Sequence, residues 1–408
     1  MKYQNSKQSL ENILLSGLEY FSSKNIINKI DLSSWELQRF KNIYLVGFGK
    51  GSSAIAKELE IKLPMIKNGL VVDTKNFGLK KIKVVIGSHP LPDKINVVAT
   101  KKIVKICQNA KKNDLIIAII CGGGSSLLTD PVNSLAKTIE LNRKLILSGA
   151  SISEINIARS HLDYVKGGGL AKISFPTNII SLIVSDVPNN NISAIASGPT
   201  ALDISKINDT KVILEKYCID YQGIKFVESS KDKRIFSKVK NLIIADNKTA
   251  LNILADYAKK IGFNTFIDKT NHNDNSATTI KTLFSKNKSN LLLSGGEVKI
   301  KVAKIHGKGG RNTHLAALAL KYLTPGMAFA SIASDGHDNT DAAGAIVDYE
   351  TIKKCKKLGL NIDKYIANFD SYNLFKKTGN LINTGLLPIN VSDIYLLFNS
   401  GSPESFSQ

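Results

Sequence analysis

Short apolar runs rich in β-branched residues recur along the chain, separated by stretches in which apolar residues return every three or four positions. The short runs predict strands over 42–46, 70–73, 83–86, 115–120, 179–184, 242–245, 291–294 and 394–398. The amphipathic stretches predict helices over 52–62, 95–110, 134–148, 248–261 and 312–322. Alternation of this kind predicts an α/β fold with a mainly parallel sheet covered by helices. At 408 residues the chain exceeds the size at which one core usually stops growing, so two domains are expected. Periodicity weakens and charge rises between 210 and 239, where Glu228-Ser229-Ser230-Lys231-Asp232-Lys233 reads as a linker. That places one domain over 1–235 and a second over 236–408.

Composition narrows the class. Hydrophobic residues make up 43% and charged residues 22%, ordinary values for a globular protein. The longest uninterrupted apolar run has the length of a strand, and the first 21 residues lack the apolar core of a signal peptide, so a cytoplasmic protein without a membrane partner is expected. The four cysteines are scattered without metal-ligand spacing. The net charge of +21 raises the question of nucleic acid, but the lysines are spread over the whole length without interleaved aromatics. Diffuse positive charge suits an anionic small molecule instead.

The glycines supply the chemical signal, because many of them cluster where a strand ends or a helix begins. In Val46-Gly47-Phe48-Gly49-Lys50-Gly51-Ser52 a strand turns into a helix, so the Gly49, Gly51 and Ser52 backbone could face an anion with Lys50 as a mobile cation. The run is neither a Walker A sequence nor a complete GxGxxG fingerprint, and a plain tight turn fits it equally well. Cys121-Gly122-Gly123-Gly124-Ser125-Ser126 repeats the arrangement after the most apolar strand; Gly123, Gly124, Ser125 and Ser126 could bind phosphate or carboxylate oxygens. Arg159 and Lys166, seven residues apart, could form a cationic clamp or stand as two solvated charges. Ser294-Gly295-Gly296-Glu297 and Gly307-Lys308-Gly309-Gly310-Arg311-Asn312 complete the set, the latter offering a fork-shaped donor at a helix start. His89, in a rigid turn, could contact substrate or serve structure alone.

Carboxylates provide candidate metal ligands. Asp186 follows the strand at 179–184, where α/β folds place reactive groups. Asp335, Asp338 and Asp341 crowd one short loop, which could hold magnesium through Asp335 and Asp338 or could be an ordinary Asp-Gly turn.

In order along the chain, VGFGKGSSAIA (46–56), GSHPLPD (87–93), CGGGSSLL (121–128), INIARSHLDYVKGGGLA (155–171), SDVP and IASGPT (185–200), SGGEVKI (294–300), GKGGRNTHLAALAL (307–320) and SDGHDNTDAAGAIVD (334–348) resemble the class II glycerate kinases, the family with a C-terminal MOFRL domain. The resemblance implies a Rossmann-like N-terminal domain, a smaller C-terminal α/β domain and an active site in the cleft between them. It further implies ATP-dependent phosphorylation of D-glycerate, most often at the 2-hydroxyl, with Mg2+. Its catalytic lysine falls on Lys50 and its catalytic arginine on Arg311; Asp186 joins them as a catalytic or metal-binding carboxylate. The substrate and phosphate contacts would come from Gly49, Gly51, Ser52, His89, Gly123, Gly124, Ser125, Ser126, Arg159, Lys166, Gly296, Glu297, Gly310 and Asn312. A monomer or homodimer without nucleic-acid partners is expected. The chain departs from the family pattern at Asn189-Asn190-Asn191, in a loop at 335–341 that is one residue shorter, and at 384–391. The competing reading, a nicotinamide-dependent hydroxypyruvate reductase, would use Asp73 at a strand end to bind the ribose.

Overall fold

A computed structural model describes residues 6–287, 290–302 and 304–401. The chain divides into two compact units, one running from Ser23 to Ile244 and the other joining the residues up to Ser22 to those from Ala245 onward.

The first unit is built on a six-stranded sheet. Its strands are β1 (Ile43–Phe48), β2 (Ile66–Asp73), β3 (Ile82–Ile86), β4 (Leu115–Ile120), β5 (Asn178–Val184) and β6 (Val239–Ala245), in the order β3-β2-β1-β4-β5-β6. The pairs β1–β2, β1–β4, β2–β3 and β4–β5 are all parallel. All six residues of β4 are buried, as a central strand covered on both faces requires. Strand order reverses between β1 and β4, so the loops leaving their C-terminal ends border the crevice in which doubly wound folds bind ligands. Those loops are the first two glycine clusters.

The second unit carries a mixed sheet: β7 (Thr265–His272), β8 (Leu291–Gly296), β9 (Met327–Ala333), β10 (Gly344–Asp348), β11 (Leu381–Ile382) and β12 (Asp393–Asn399), ordered β11-β10-β9-β12-β8-β7. Only β7–β8 is parallel; β12 runs antiparallel to both β8 and β9, and β9–β10 and β10–β11 are antiparallel too. The expectation of a mainly parallel sheet therefore describes the first unit and not the second. A short loop joins β9 to β10, and so short a connection permits an antiparallel pair but not a parallel crossover.

The division of the chain differs from 1–235 and 236–408. The segment read as a linker is packed: Ile213, Leu214 and Ile219 share a core with Leu141, Leu145, Ile155, Ala158 and Leu162. The N-terminal helix Ser6–Tyr20 belongs to the second unit, where Leu10, Ile13 and Leu14 are fully buried. It crosses the helix Asn247–Lys260 closely, since a Cβ added at Gly17 would lie 2.2 Å from Leu254 Cδ2. No helix among the described residues is long and apolar enough to cross a membrane.

Leu14→Ala should destabilise the second unit by about 2–5 kcal/mol, the usual cost of a truncated core leucine. Urea denaturation checks this; a loss below about 1 kcal/mol would take the N-terminal helix out of that core.

Candidate functional site

The turn after β1 is locked rather than open. Asp73, at the end of β2 and fully buried, accepts from the Gly51 amide (3.1 Å), the Ser53 amide (2.9 Å) and the Ser53 hydroxyl (2.8 Å). The Gly49 amide donates to the Val72 carbonyl, that of Lys50 to Gly122 and that of Ser52 to Gly49. The Ser52 hydroxyl also turns inward, to the Gly49 carbonyl at 2.7 Å. Gly49, Gly51 and Ser52 thus form a scaffold whose amides are already occupied, in place of the expected anion cradle. Asp73 caps the helix Ser52–Lys62 through the same bonds, so the acidic residue that a reductase would use for a ribose is committed inside the fold.

The next loop differs. The amides of Gly122, Gly123 and Ser125 have no hydrogen-bond partner among the described residues. Three side chains crowd this backbone: a Cβ on Gly122 would lie 2.2 Å from Asp186 Oδ2, and one on Gly123 would lie 2.9 Å from His89 Cδ2 and 3.6 Å from Lys50 Cγ. Lys50, His89 and Asp186 therefore gather around open amides at the switch point. Lys50 forms no ion pair among the described residues. Burial and the neighbouring Lys50 charge push the His89 pKa down to about 4, so its ring is neutral at physiological pH. Burial raises the Cys121 thiol far above its ordinary value, which rules it out as a thiolate nucleophile.

Serines frame the loop. Ser126 Oγ donates to the Pro90 carbonyl at 2.6 Å, and Ser125 Oγ lies 2.9 Å from Ser197 Oγ, which donates to Asn156 Oδ1 at 2.9 Å. Ser197 lies in a turn where Ala196, Ser197 and Gly198 all have positive φ (51°, 61° and 62°). Each of the two non-glycine residues costs about 1–3 kcal/mol in that region. The turn is held because Gly167 and Gly168 donate their amides to the Ser197 and Gly198 carbonyls, and Ala196 packs against Gly124. Asn189 and Asn190 also take left-handed backbone, which suits asparagine and accounts for part of the Asn189–Asn191 run.

Arg159 and Lys166 are electrostatic neighbours but not a free clamp. Lys166 is buried, with Nζ 2.7 Å from Asp163 Oδ2 and 3.2 Å from the Leu128 carbonyl, and burial lowers its pKa. Its charge is neutralised inside the protein. Arg159 is half-buried and donates from Nε to Asn142 Oδ1 at 2.8 Å.

In the second unit the helix Arg311–Ala319 follows the glycine run Gly307–Gly310. Asp338 caps it from another loop: its carboxylate accepts from the Asn312 amide (3.0 Å), Asn312 Nδ2 (3.2 Å), the Thr313 amide (2.9 Å) and Thr313 Oγ1 (3.1 Å). With its oxygens saturated and 4% exposure, Asp338 is a helix cap and not the expected metal ligand. Asn312 is fully buried, where it also accepts from Ser331 Oγ, and the Gly310 amide donates to Thr313 Oγ1; both residues are structural. Asp335 is half-buried and accepts from the His337 amide. Arg311 itself is part-exposed, with Nη1 2.6 Å from Glu297 Oε1 and Nε 3.3 Å from Asp393 Oδ2. Gly296 ends β8 and presents Glu297. The residue that sequence reading missed is Asp393, 1% exposed, whose carboxyl is pushed up to about 7 by burial against the pull of Arg311. Only its place at the start of a predicted strand could have hinted at it.

Among the described residues no three His, Cys, Asp or Glu side chains are grouped to cage a metal. Holding magnesium beside nucleotide phosphates would need only one or two carboxylates, and Asp186 in the first unit and, separately, Asp335 in the second each have that chemistry.

A doubly wound sheet with open amides, a lysine and a carboxylate at its switch point, joined in one chain to a mixed-sheet unit bearing a part-exposed arginine, is suited to handle a small polyanion. Comparison with known proteins gives the particular family. Residues 9–228 match a domain of unknown function, DUF4147, and residues 290–393 match the MOFRL family. A glycerate 2-kinase of Pyrococcus horikoshii is 32% identical over 397 residues, covering 90% of both chains, and a D-glycerate 2-kinase of Thermotoga maritima is 34% identical over 376 residues, covering 87% of this chain and 90% of the relative. The crystal structure of a Thermotoga maritima glycerate kinase superposes with a TM-score of 0.87 at 30% identity, over 96% of this chain and 99% of that one. The chain belongs to the MOFRL-type glycerate kinase family.

Two measurements separate these roles. Asp338→Ala should cost about 2–4 kcal/mol in stability, because it strands buried amide donors, and should leave the divalent-cation requirement of any activity unchanged. An altered metal titration would return Asp338 to the metal site. The His89 imidazole should titrate well below its ordinary 6.5, near 4, in a proton NMR titration. Because the folded-state value is depressed, the stability it contributes is present above the unfolded value and is lost as pH falls through the folded one. An ordinary midpoint would mean His89 faces neither burial nor Lys50.

Proposed function

We propose that the protein transfers the γ-phosphoryl group of ATP to D-glycerate, at the 2-hydroxyl, as a cytoplasmic enzyme. The observation that carries the reading is the open amide loop Gly122–Ser125 with Lys50 beside it, in a chain whose relatives bear the glycerate 2-kinase name. Phosphoryl transfer asks a protein mainly for positioning and for charge opposite the transferring group. The unpaired amides and the Ser125 hydroxyl receive phosphate oxygens. Lys50, a compact ammonium on a flexible stem, follows the charge of the moving group. Arg311 supplies a second cation, through the part of its fork that Glu297 and Asp393 leave open. Asp186 would hold magnesium, whose charge would offset that of the phosphate oxygens. His89, neutral at working pH, orients the acceptor without adding a third cation.

The test is direct. Purified protein with D-glycerate and Mg-ATP should yield 2-phosphoglycerate, identified by phosphorus NMR, and should not oxidise NADH in the presence of hydroxypyruvate. NADH oxidation without phosphoglycerate would overturn the class. Lys50→Ala and Arg311→Ala should each lower kcat by about 10²–10⁴ while the protein stays folded. Turnover within a few-fold of the parent in either variant would remove that cation from the reaction.

A further inference from the structure

We propose that Asp393 is the positioning residue that fixes the Arg311 guanidinium for phosphoryl transfer, an inference resting on the reading that Arg311 acts in that step. Three elements meet at this point. Asp393 is the first residue of β12, the strand between β8 and β9, where it lies opposite Gly296 on one side and Ala333 on the other. Glu297 directly follows Gly296, and Arg311 is the first residue of its helix. The backbone beneath the carboxylate is secured, because Asn247 Nδ2 donates to the carbonyls of both Val391 (2.9 Å) and Asp393 (3.0 Å). Asp393 thus offers a rigid anchor.

The two acidic partners of Arg311 are not equivalent. Asp393 is 1% exposed, and giving up its cation would force this buried carboxyl to take up a proton, so of the two contacts it is the one that resists exchange. The Glu297 side chain is 51% exposed, and an exposed ion pair is weak and readily exchanged. Asp393 grips Nε, the inner nitrogen of the fork, which leaves the outer nitrogens for Glu297 or for an incoming phosphoryl oxygen. A polyanion therefore displaces Glu297 while Asp393 keeps the plane of the guanidinium in place. A lysine at position 311 would have no Nε–H to grip, which explains an arginine here in a chain that otherwise favours lysine.

A double-mutant cycle on the full-length protein tests this, using kcat and KM for D-glycerate and ATP in Asp393→Asn, Arg311→Ala and the double variant, with thermal melts as folding controls. Asp393→Asn should lower kcat by about 10–100-fold with both KM values within about threefold, and should cost nothing further, within about twofold, in the Arg311→Ala background. Loss of the same size in both backgrounds, or turnover near that of the parent in Asp393→Asn alone, would overturn the positioning role. Full activity in Arg311→Ala would instead sink the functional reading of Arg311, a separate outcome. Should Asp393→Asn fail to fold, the parent protein still decides the question: the Arg311 Nε–H should exchange with solvent at least tenfold more slowly than that of the exposed Arg39, and equal rates would show that Asp393 does not hold it.

Discussion

A buried carboxylate cannot stay in a protein interior unless its oxygens are saturated, and this demand organises the molecule's chemistry. Asp73 draws in the amides of Gly51 and Ser53, Asp338 those of Asn312 and Thr313, and Asp163 takes the Lys166 ammonium together with the Thr129 hydroxyl. Each of these contacts freezes a turn, and each removes donors that a ligand would otherwise find. In the loop after β4 the amides of Gly122, Gly123 and Ser125 have no partner among the described residues. Asp186 approaches this loop on the Cα side of Gly122. Where an anion can bind is thus decided by where the buried acids are not.

Much of the first unit is legible in sequence, and the reason is periodicity. β4 reads directly because a strand covered on both faces is continuously apolar, and the helix Ser52–Lys62 reads directly because a strand ends and a glycine turn precedes it. The second sheet is harder. β7 is a half-exposed edge strand of mostly polar residues, β9 is rich in alanine, and β10 hides within a segment that reads as an acidic loop. The N-terminal helix shows its apolar spacing, yet nothing local says that it packs on elements more than two hundred residues away.

The candidate site shows the same division between local and long-range information. Glycine clusters announce strand and helix ends, and the first two form turns after β1 and β4, while Gly295 and Gly296 are the last residues of β8. Whether an amide in a turn is open depends on a partner brought by another strand, and here sequence reading fails in both directions. The first cluster, read as a cradle, is filled by Asp73. Asp338, read as a metal ligand, is filled by the amides of the arginine helix, since a carboxylate waiting for a metal and one capping a helix look alike in a string of letters. Lys166 does neighbour Arg159, though the helix ends at Leu162 before reaching it, and its charge is paired with Asp163, three residues earlier. Asp393 escapes notice because a single aspartate before an apolar strand is unremarkable until an arginine is set against it.

The two cations of the proposed reaction differ in how they are held, and that difference carries mechanistic content. Lys50 stands beside a neutral imidazole and open amides, with no acid paired to it among the described residues, so its ammonium can follow a phosphate as charge moves. Arg311 is fixed by one buried and one exposed carboxylate, so it presents charge in a set direction before any substrate arrives. A prearranged cation stabilises developing charge without the cost of reorganising during the reaction, whereas a mobile one serves capture and release. The chain's overall positive charge cannot do either job, because it is spread over solvated lysines and screened by salt within about 8–10 Å. Local neutralisation by buried aspartates, far more than net charge, determines which positive groups remain to act on a phosphoryl group.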